Sequence, residues 1–487
     1  MAAAGLLTDA ARLLGWLSEP PGRVTGMTVG SYDQLTATED LGEGMLMMRV
    51  PEFKLLSSKK AASDPRACLI SFVFQEGVFP DDLSELATLL MHERALGQRS
   101  TFHPWLRMLP QSQSTLMWSP SEMGCLRGSP LVRLTQIRED QLRREYDKLF
   151  AHLRATFGQS LFPEASGFGF VDYRWARLTA EARSLPLTLA AGQPTHPVMV
   201  PLLDFAPSDP LADWARTSFA KCEPVKPASC EGCGDQRIFE VYARRGVSED
   251  EVLGLGWGEP QCNWQNMLVR GTAHLDNPHD CVPLQLPLFP AADPTTPSRQ
   301  KLVRARGLPE NGIVQVRMGE VHEGSLMWMR VGALSDDELQ CLEMMGGAWR
   351  NKSVSLANER VALSALRALL GEAAAGYVVP QNDTATIAEG VPGVPWRQLQ
   401  CAKVRHSERS ILLMFELFTA RTAGLIAGFF EQQLRRGDAG AILRKRTAGS
   451  LESYLRVTVD PLLELERDAA VAEETAARGI ATSLLDT

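Results

Sequence analysis

The sequence predicts an α+β fold in which a β-rich part with a helical insert is followed by an all-α part. Residues 25–58 alternate apolar and polar side chains between glycines, which is typical of short strands joined by turns. Residues 82–160 have helical periodicity instead, and strand-like segments return at 198–205 and 237–257. Beyond a proline-rich stretch, long helical patterns continue toward the C-terminus.

The helical insert opens with "LSELATLLMHERAL", in which leucines recur at helical spacings. Asp81 and Asp82 precede this stretch, and we expect them to cap the helix. Residues 138–157 predict a second amphipathic helix.

Five prolines stand within residues 282–298, and such a density predicts a linker without helix or strand. After it, 3.6-residue patterns predict helices at 356–375, 406–436 and 448–478. We expect one apolar stripe to lie in the core of the helical part. It consists of Leu412, Leu413, Phe415, Leu417 and Phe418.

Composition narrows the classes of protein that this chain can belong to. A length of 487 residues predicts more than one domain, and 45% hydrophobic with 22% charged residues is ordinary for a globular protein. The net charge of −8 argues against nucleic acid as a partner. Glu416 and Arg421 interrupt the most apolar stretch, residues 410–430, which favours a buried helix over a membrane span.

The first 22 residues predict an amphipathic helix, because a short apolar stretch there contains Asp9 and Arg12. Import into an organelle stays open as an alternative to a cytoplasmic location. Nine cysteines, an odd number spread over the chain, are typical of reduced thiols in an intracellular protein.

The stretch "EVLGLGWGEP" places Gly254, Gly256 and Gly258 after an apolar run, like the nucleotide-binding turn of a Rossmann methyltransferase. Asp276 lies near the distance expected of a ribose-binding acid. No alternation of strands and helices follows, however, so nothing is there to build a parallel sheet. The Rossmann fold is therefore the minor alternative.

The order of several other motifs resembles the SET-domain methyltransferases that modify Rubisco large subunit or actin histidine. They are "LTATEDLGEGMLMMRVP", "LLMHERALGQRSTFHPWLRMLP", "YRWARLTAEARS", "MVPLLDFAPSDP", "EVLGLGWGEPQCNWQNMLVRGTAHLDNPHD" and "NERVALSALRALLGEAAAGY". The resemblance covers nearly the whole chain. It implies a SET domain over 1–285 with a helical insert at about 80–195, a proline-rich linker over 286–300, and a helical substrate-binding domain over 301–487.

The resemblance also implies a site for S-adenosylmethionine (SAM), in which Arg183, Asp204 and Ser208 are the candidate cofactor-binding residues. Arg183 matches the arginine that pairs with the cofactor carboxylate, and a helix-end surface arginine is the alternative. Asp204 is retained from the family pattern, and a packing carboxylate is its alternative.

Other positions of this site depart from the family. Tyr32 and Gln34 stand where the family has glycines that let the backbone approach the cofactor. Pro207 and Ser208 replace an Asn-His pair, and proline has no N–H to donate.

The two family tyrosines are also replaced. Trp257 stands at the catalytic tyrosine and lacks a hydroxyl, and Arg270 stands at the second one. A cation at 270 disfavours both a sulfonium and a protonated lysine. No intact catalytic residue is therefore predicted.

A cysteine cluster offers a weak metal site. Cys222, Cys230 and Cys233 include a C-x-x-C spacing, and Cys262 is the nearest candidate for a fourth zinc ligand. A thiol-bearing insertion without metal is the alternative.

These residues favour a SET-domain protein without methyl transfer that binds another protein through its helical domain or is a subunit of an assembly. The alternative is an active SAM-dependent protein lysine or histidine N-methyltransferase with a rebuilt pocket.

Overall fold

The computed structural model describes most of the chain in separate stretches. They are residues 2–30, 34–61, 73–188, 194–209, 212, 215–221, 237–255, 261–317, 323–344, 354–377, 387 and 394–431. Trp257, Tyr32 and the predicted helix at 448–478 lie outside them.

Ten strands form four small antiparallel sheets within these stretches. They are β1 Arg23–Val24, β2 Met27–Val29, β3 Leu35–Ala37, β4 Leu46–Pro51, β5 Ser184–Leu187, β6 His196–Met199, β7 Ala215–Lys221, β8 Arg237–Ala243, β9 Cys281–Gln285 and β10 Ile313–Arg317. The largest sheet has the order β1-β4-β8-β7, and the others pair β2 with β3, β5 with β6 and β9 with β10. The predicted strands within 25–58 are confirmed.

The helices predicted within these stretches are present, but the one predicted at 138–157 begins at Leu131 and the one predicted at 406–436 begins at Trp396. The helices are α1 Ala2–Leu17, α2 Ser58–Ala61, α3 Asp82–Leu96, α4 His103–Leu106, α5 Pro120–Met123, α6 Leu131–Phe157, α7 Phe170–Arg183, α8 Asn263–Val269, α9 Thr296–Ala305, α10 Glu323–Gly332, α11 Asp336–Met344, α12 Leu356–Ala375 and α13 Trp396–Glu431. The cap of α3 is as predicted, because the carboxylate of Asp81 accepts a hydrogen bond from the Ser84 backbone at 2.6 Å. The predicted bounds of α12 are also confirmed.

The α+β class is confirmed and the Rossmann alternative is wrong. Every strand pair in the described stretches is antiparallel. The one parallel contact found there is an isolated bridge between Ser208 and Leu255. A dinucleotide-binding fold needs a parallel sheet with crossover helices.

The chain divides into two compact units. The first comprises residues 1–120 and 133–278, and the second comprises residues 121–132 and 279–487. In the first, α7 packs against α3, and β5 and β6 follow α7. In the second, α10, α12 and α13 enclose a core around Trp328, whose ring stacks on Phe289 with centroids 5.0 Å apart. The structural division lies at 278/279, and the boundary predicted at 285/286 stays a prediction.

The prolines of residues 282–298 predicted a linker without helix or strand, and this prediction is wrong. Strand β9 includes Pro283, which lies opposite Gln315 of β10, and α9 begins at Thr296. Pro283 is tolerated because each strand of a two-stranded sheet has an outer edge where no ladder hydrogen bond is needed. Proline at the second position of α9 is equally permitted, since the first turn has no acceptor for its N–H.

The apolar stripe of α13 is only partly in the core. Leu412 and Phe415 are buried, whereas Leu413 and Leu417 are 36% and 47% exposed. Leu412 and Phe415 are three residues apart and share one helix face. Leu413 and Leu417 follow Leu412 by one and five residues, so they lie on another face. The prediction that Leu413 and Leu417 are core residues is therefore wrong.

None of the helices in the described stretches is both long and apolar enough to cross a membrane.

The expectation of reduced thiols is wrong for one pair in the second unit. Cys125 and Cys401 form a disulfide, with 6.0 Å between their Cα atoms and 276 residues between them in sequence. Cys341 is a free and exposed cysteine.

Candidate functional site

Two of the residues that the sequence assigns to cofactor binding lie together in the first unit. Arg183 is the last residue of α7, and its guanidinium donates a hydrogen bond to the backbone carbonyl of Asp204. Its Nη1 atom also lies 4.0 Å from Oδ2 of the Asp204 carboxylate. The end of α7 therefore brings a cation to the turn that carries Asp204.

The turn before Asp204 has unusual backbone geometry. Leu202 has φ 75° and ψ −49°, and its side chain is buried. A leucine in this region costs on the order of 1–3 kcal/mol and persists only where the surroundings hold it. Hydrogen bonds from Asp204 N to Val200 O and from Phe205 N to Leu202 O fix the turn. The strained residue therefore lies two positions before the buried carboxylate of Asp204.

The Asp204 carboxylate is almost inaccessible, with 2% of the residue exposed. Trp105 Nε1 donates to its Oδ2 atom at 3.1 Å, while Oδ1 has no hydrogen-bond partner among the described residues. Burial raises the pKa of Asp204 to about 6, although the charge of Arg183 and the bond from Trp105 act in the opposite direction. Sequence analysis did not identify Trp105, because 99 residues separate it from Asp204 and no motif links them.

Asp204 should make stability depend on pH. Its folded-state pKa of about 6 lies above the ordinary 3.8. The stabilisation from the protonated carboxyl is therefore complete below about pH 4, and it is lost as the pH rises through about 6. The loss amounts to about 3 kcal/mol. We expect Asp204→Asn to flatten the pH dependence of urea unfolding between pH 4 and 6.

The matched control for this prediction is Asp140→Asn, which alters an exposed carboxylate of the same unit. It should leave the slope unchanged. Equal slopes for Asp204→Asn and the wild type would contradict the assigned cause.

Arg270 is held next to this pair by several bonds. It follows the last residue of α8, and its Nε donates to Ala182 O at 3.2 Å. Its Nη1 donates to the side-chain oxygens of Gln261 at 2.8 Å and Asn266 at 3.2 Å. The guanidinium is thereby immobilised beside the end of α7.

Burial lowers the pKa of Arg270 to about 10; the charge of Glu181 acts in the opposite direction, and the charge of Arg183 adds a smaller lowering effect. Arg270 still carries its charge at neutral pH. Two guanidinium groups therefore lie close enough to repel each other at this site.

Pro207 and Ser208 lie along the glycine-containing stretch. The carbonyl of Pro207 accepts from Leu255 N at 2.8 Å, and Asp209 N donates to Leu255 O at 2.9 Å. A Cβ on Gly254 would lie 2.6 Å from Cβ of Asp209. Gly254 is thus required for the close approach of these two segments, which is a packing role. Gly256, Trp257 and Gly258 lie outside the described residues.

Gln34, Asn263 and Asn277 make hydrogen bonds to neighbouring backbone groups. The backbone carbonyl of Gln34 accepts from Gly30 N at 2.8 Å, and the side chain of Asn263 bonds the backbone of His274 in both directions. Asn277 Nδ2 donates to Gln261 O at 2.9 Å. These amides fasten the turn that follows α8.

The zinc hypothesis stays a prediction. Cys222, Cys230 and Cys233 lie outside the described residues, and Cys262 is buried. No group of three potential metal ligands occurs within the stretches that the structure describes.

Residues 290–412 match the family model described as Rubisco LSMT substrate-binding. The chain is 25% identical over 313 residues to SET domain-containing protein 4 of Mus musculus and 24% identical over 295 residues to that of Homo sapiens. These alignments cover 61% and 58% of this chain. They span 66% and 62% of the two relatives, slightly less than two thirds of their length.

Solved structures show the same fold. The SET domain of LSMT bound to lysine and AdoHcy is similar with a TM-score of 0.66 and 19% identity, over 90% of this chain and 99% of that one. Rubisco LSMT bound to AdoMet has a TM-score of 0.64 and 18% identity over the same shares. The chain therefore has the fold of the LSMT SET domain, its residues 290–412 match the family model of the substrate-binding domain, and it is similar in sequence to SET domain-containing protein 4.

Proposed function

We propose that this chain is a SET-domain protein without methyl-transfer activity that acts by binding another protein through its C-terminal helical unit. The carrying observation is the immobilised guanidinium of Arg270 beside Arg183. Methyl transfer brings a sulfonium and an amine into this site. A second fixed cation weakens the binding of the sulfonium and of the protonated amine by like-charge repulsion. Trp257, without a hydroxyl at the family tyrosine position, supports the same conclusion.

The helical unit supports a protein partner. Residues 290–412 match a substrate-binding domain, and structures of the similar LSMT contain lysine, methyllysine or sinefungin. A fold can keep a protein-binding surface after its catalytic activity has been lost. The partner is therefore proposed to be a polypeptide.

The alternative function is an active SAM-dependent protein lysine or histidine N-methyltransferase. One observation favours it: Oδ1 of Asp204 is buried beside Arg183, and no donor among the described residues reaches it. A buried acceptor of this kind is costly unless a ligand supplies an N–H or O–H group. A bound cofactor with an amino group would meet that need.

Calorimetry with two ligands separates these functions. SAM carries a sulfonium, and S-adenosylhomocysteine has the same skeleton without that charge. If Arg270 repels the sulfonium, this repulsion between two unit charges should weaken SAM binding by about 2 kcal/mol, or roughly 30-fold. We expect no SAM binding by the wild type at micromolar concentrations, and a gain of that size for SAM alone in Arg270→Met.

The control is Arg304→Met, which removes a guanidinium whose side chain is 66% exposed. It should change neither affinity. Micromolar binding of SAM by the wild type, together with label transfer from SAM that Arg183→Ala abolishes, would replace the proposed function by the alternative. Protein partners captured equally by the wild type and Arg183→Ala would agree with a role that does not need the cofactor.

A further inference from the structure

A short piece of the helical insert belongs to the second unit. Residues 121–132 group with residues 279–487, although the chain on both sides of them belongs to the first unit. Their 3₁₀ turn, Gly124–Leu126, carries Cys125, which is joined to Cys401 of α13. We call residues 121–132 the docked segment.

Contacts other than the disulfide also hold the docked segment on α13. Glu122 and Arg397 form an ion pair at 2.6 Å, and the guanidinium of Arg405 donates to the carbonyl of Cys125. These contacts do not depend on the state of the thiols. They keep Cys125 facing Cys401 when both are reduced, which is the arrangement that reversible disulfide formation needs.

The two sulfurs differ in access. Cys125 is partly exposed, whereas Cys401 has no exposed surface. An external disulfide can therefore reach Cys125 first, and Cys401 is placed to resolve the resulting adduct. Access and the identity of the attacked sulfur decide the course of such exchange.

We propose that Cys125 and Cys401 are a thiol–disulfide exchange site for oxidised glutathione, which fastens the docked segment to α13. The Cys125 thiolate attacks one sulfur of oxidised glutathione, forming a mixed disulfide and releasing one glutathione thiolate. The Cys401 thiolate then attacks the Cys125 sulfur, forming the Cys125–Cys401 bond and releasing the second glutathione. Two protein thiols are oxidised, two protons leave them, and one glutathione disulfide is reduced to two thiols.

The Cys125–Cys401 disulfide restricts the motion of the docked segment, and this effect does not depend on cofactor binding. In the reduced protein, only non-covalent contacts, among them the Glu122–Arg397 ion pair and the bond from Arg405, hold the segment, and it can open locally and expose its amides. A covalent link to a buried position of α13 makes such opening depend on a larger unit of structure. Slower amide exchange in this segment is therefore the direct consequence of oxidation.

The test uses the purified full-length protein, reduced and then equilibrated with glutathione at defined ratios of thiol to disulfide. Peptide mass spectrometry should show a linked Cys125–Cys401 peptide that increases with oxidised glutathione and disappears on return to excess thiol. Amide exchange in residues 121–132 should slow by roughly tenfold on oxidation. Both measurements need only the wild type.

Variants assign the roles of the two cysteines. Cys401→Ser should trap a mixed disulfide with glutathione on Cys125, whereas Cys125→Ser should leave Cys401 unmodified. Cys341→Ser, which removes the exposed cysteine of α11, should change neither the linked peptide nor the exchange rate.

Absence of the linked peptide at every ratio would overturn the proposal, as would a linked peptide that excess glutathione cannot reduce. The same holds for amide exchange that is identical in both states. None of these readouts depends on SAM binding, so the proposal stands or falls apart from the proposed function.

Discussion

Replacing Glu359 by alanine should cost the second unit about 3–5 kcal/mol of unfolding free energy, the largest loss expected of any single substitution here. Arg330 and Glu359 form a two-pronged ion pair, with Nε to Oε2 at 2.6 Å and Nη2 to Oε1 at 2.8 Å. Their side chains are 5% and 0% exposed. Truncation leaves the buried guanidinium without its carboxylate, which is the costly outcome.

Urea unfolding of the full-length protein measures this loss. Glu310→Ala is the matched control, because Glu310 also pairs with an arginine at 2.6 Å, but at the surface with 60% of its side chain exposed. No measurable change is expected there, since exposed pairs contribute little. Arg330→Met combined with Glu359→Leu should recover much of the stability. A similar loss in Glu359→Ala and Glu310→Ala would show that burial is not the cause.

Gly128→Ala should destabilise the same unit by about 3 kcal/mol. Gly128 has φ 95°, and a Cβ there would lie 2.2 Å from the carbonyl oxygen of Gly376 and 2.7 Å from Cα of Tyr377. Both obstacles are backbone atoms, so no side-chain rotation relieves them. The docked segment would have to move away from the end of α12.

Gly124→Ala is the control within the same segment, because a Cβ at Gly124 meets nothing within 4 Å and its φ is not positive. It should be neutral. Urea unfolding gives the stability, and the yield of the Cys125–Cys401 peptide reports whether the segment stays in place. Full stability and full yield in Gly128→Ala would contradict the close contact with Gly376.

The predictions for Asp204 and Arg270 depend on the same physical cause. Asp204→Asn acts through a buried carboxyl, and Arg270→Met through a fixed cation. In both cases low polarity around the group enlarges an effect that would be small in water.

Sequence alone determined the features that depend on neighbours in the chain. The Asp81 cap of α3, the bounds of α12 and the glycine-punctuated strands within 25–58 depend on hydrogen bonds and side-chain spacing within a few residues, which a motif can express. The ordered motifs also identified the SET fold and brought Arg183 and Asp204 forward as one candidate site. Where spacing alone was used, it failed for Pro283 and Leu417, because the partner of a strand and the covered face of a helix are set by other elements.

Only the tertiary structure decided what those residues contact. The bond from Trp105 to Asp204 joins positions 99 residues apart, and the Cys125–Cys401 disulfide joins positions 276 apart. The bonds that immobilise Arg270 come from Ala182 of α7, from Gln261 just before α8 and from Asn266 within α8. Such contacts arise when the whole chain buries its apolar surface, and no local pattern encodes which distant polar groups then meet. The sequence could name the substituted positions of this site, and packing determined that a charged guanidinium is fixed in one of them.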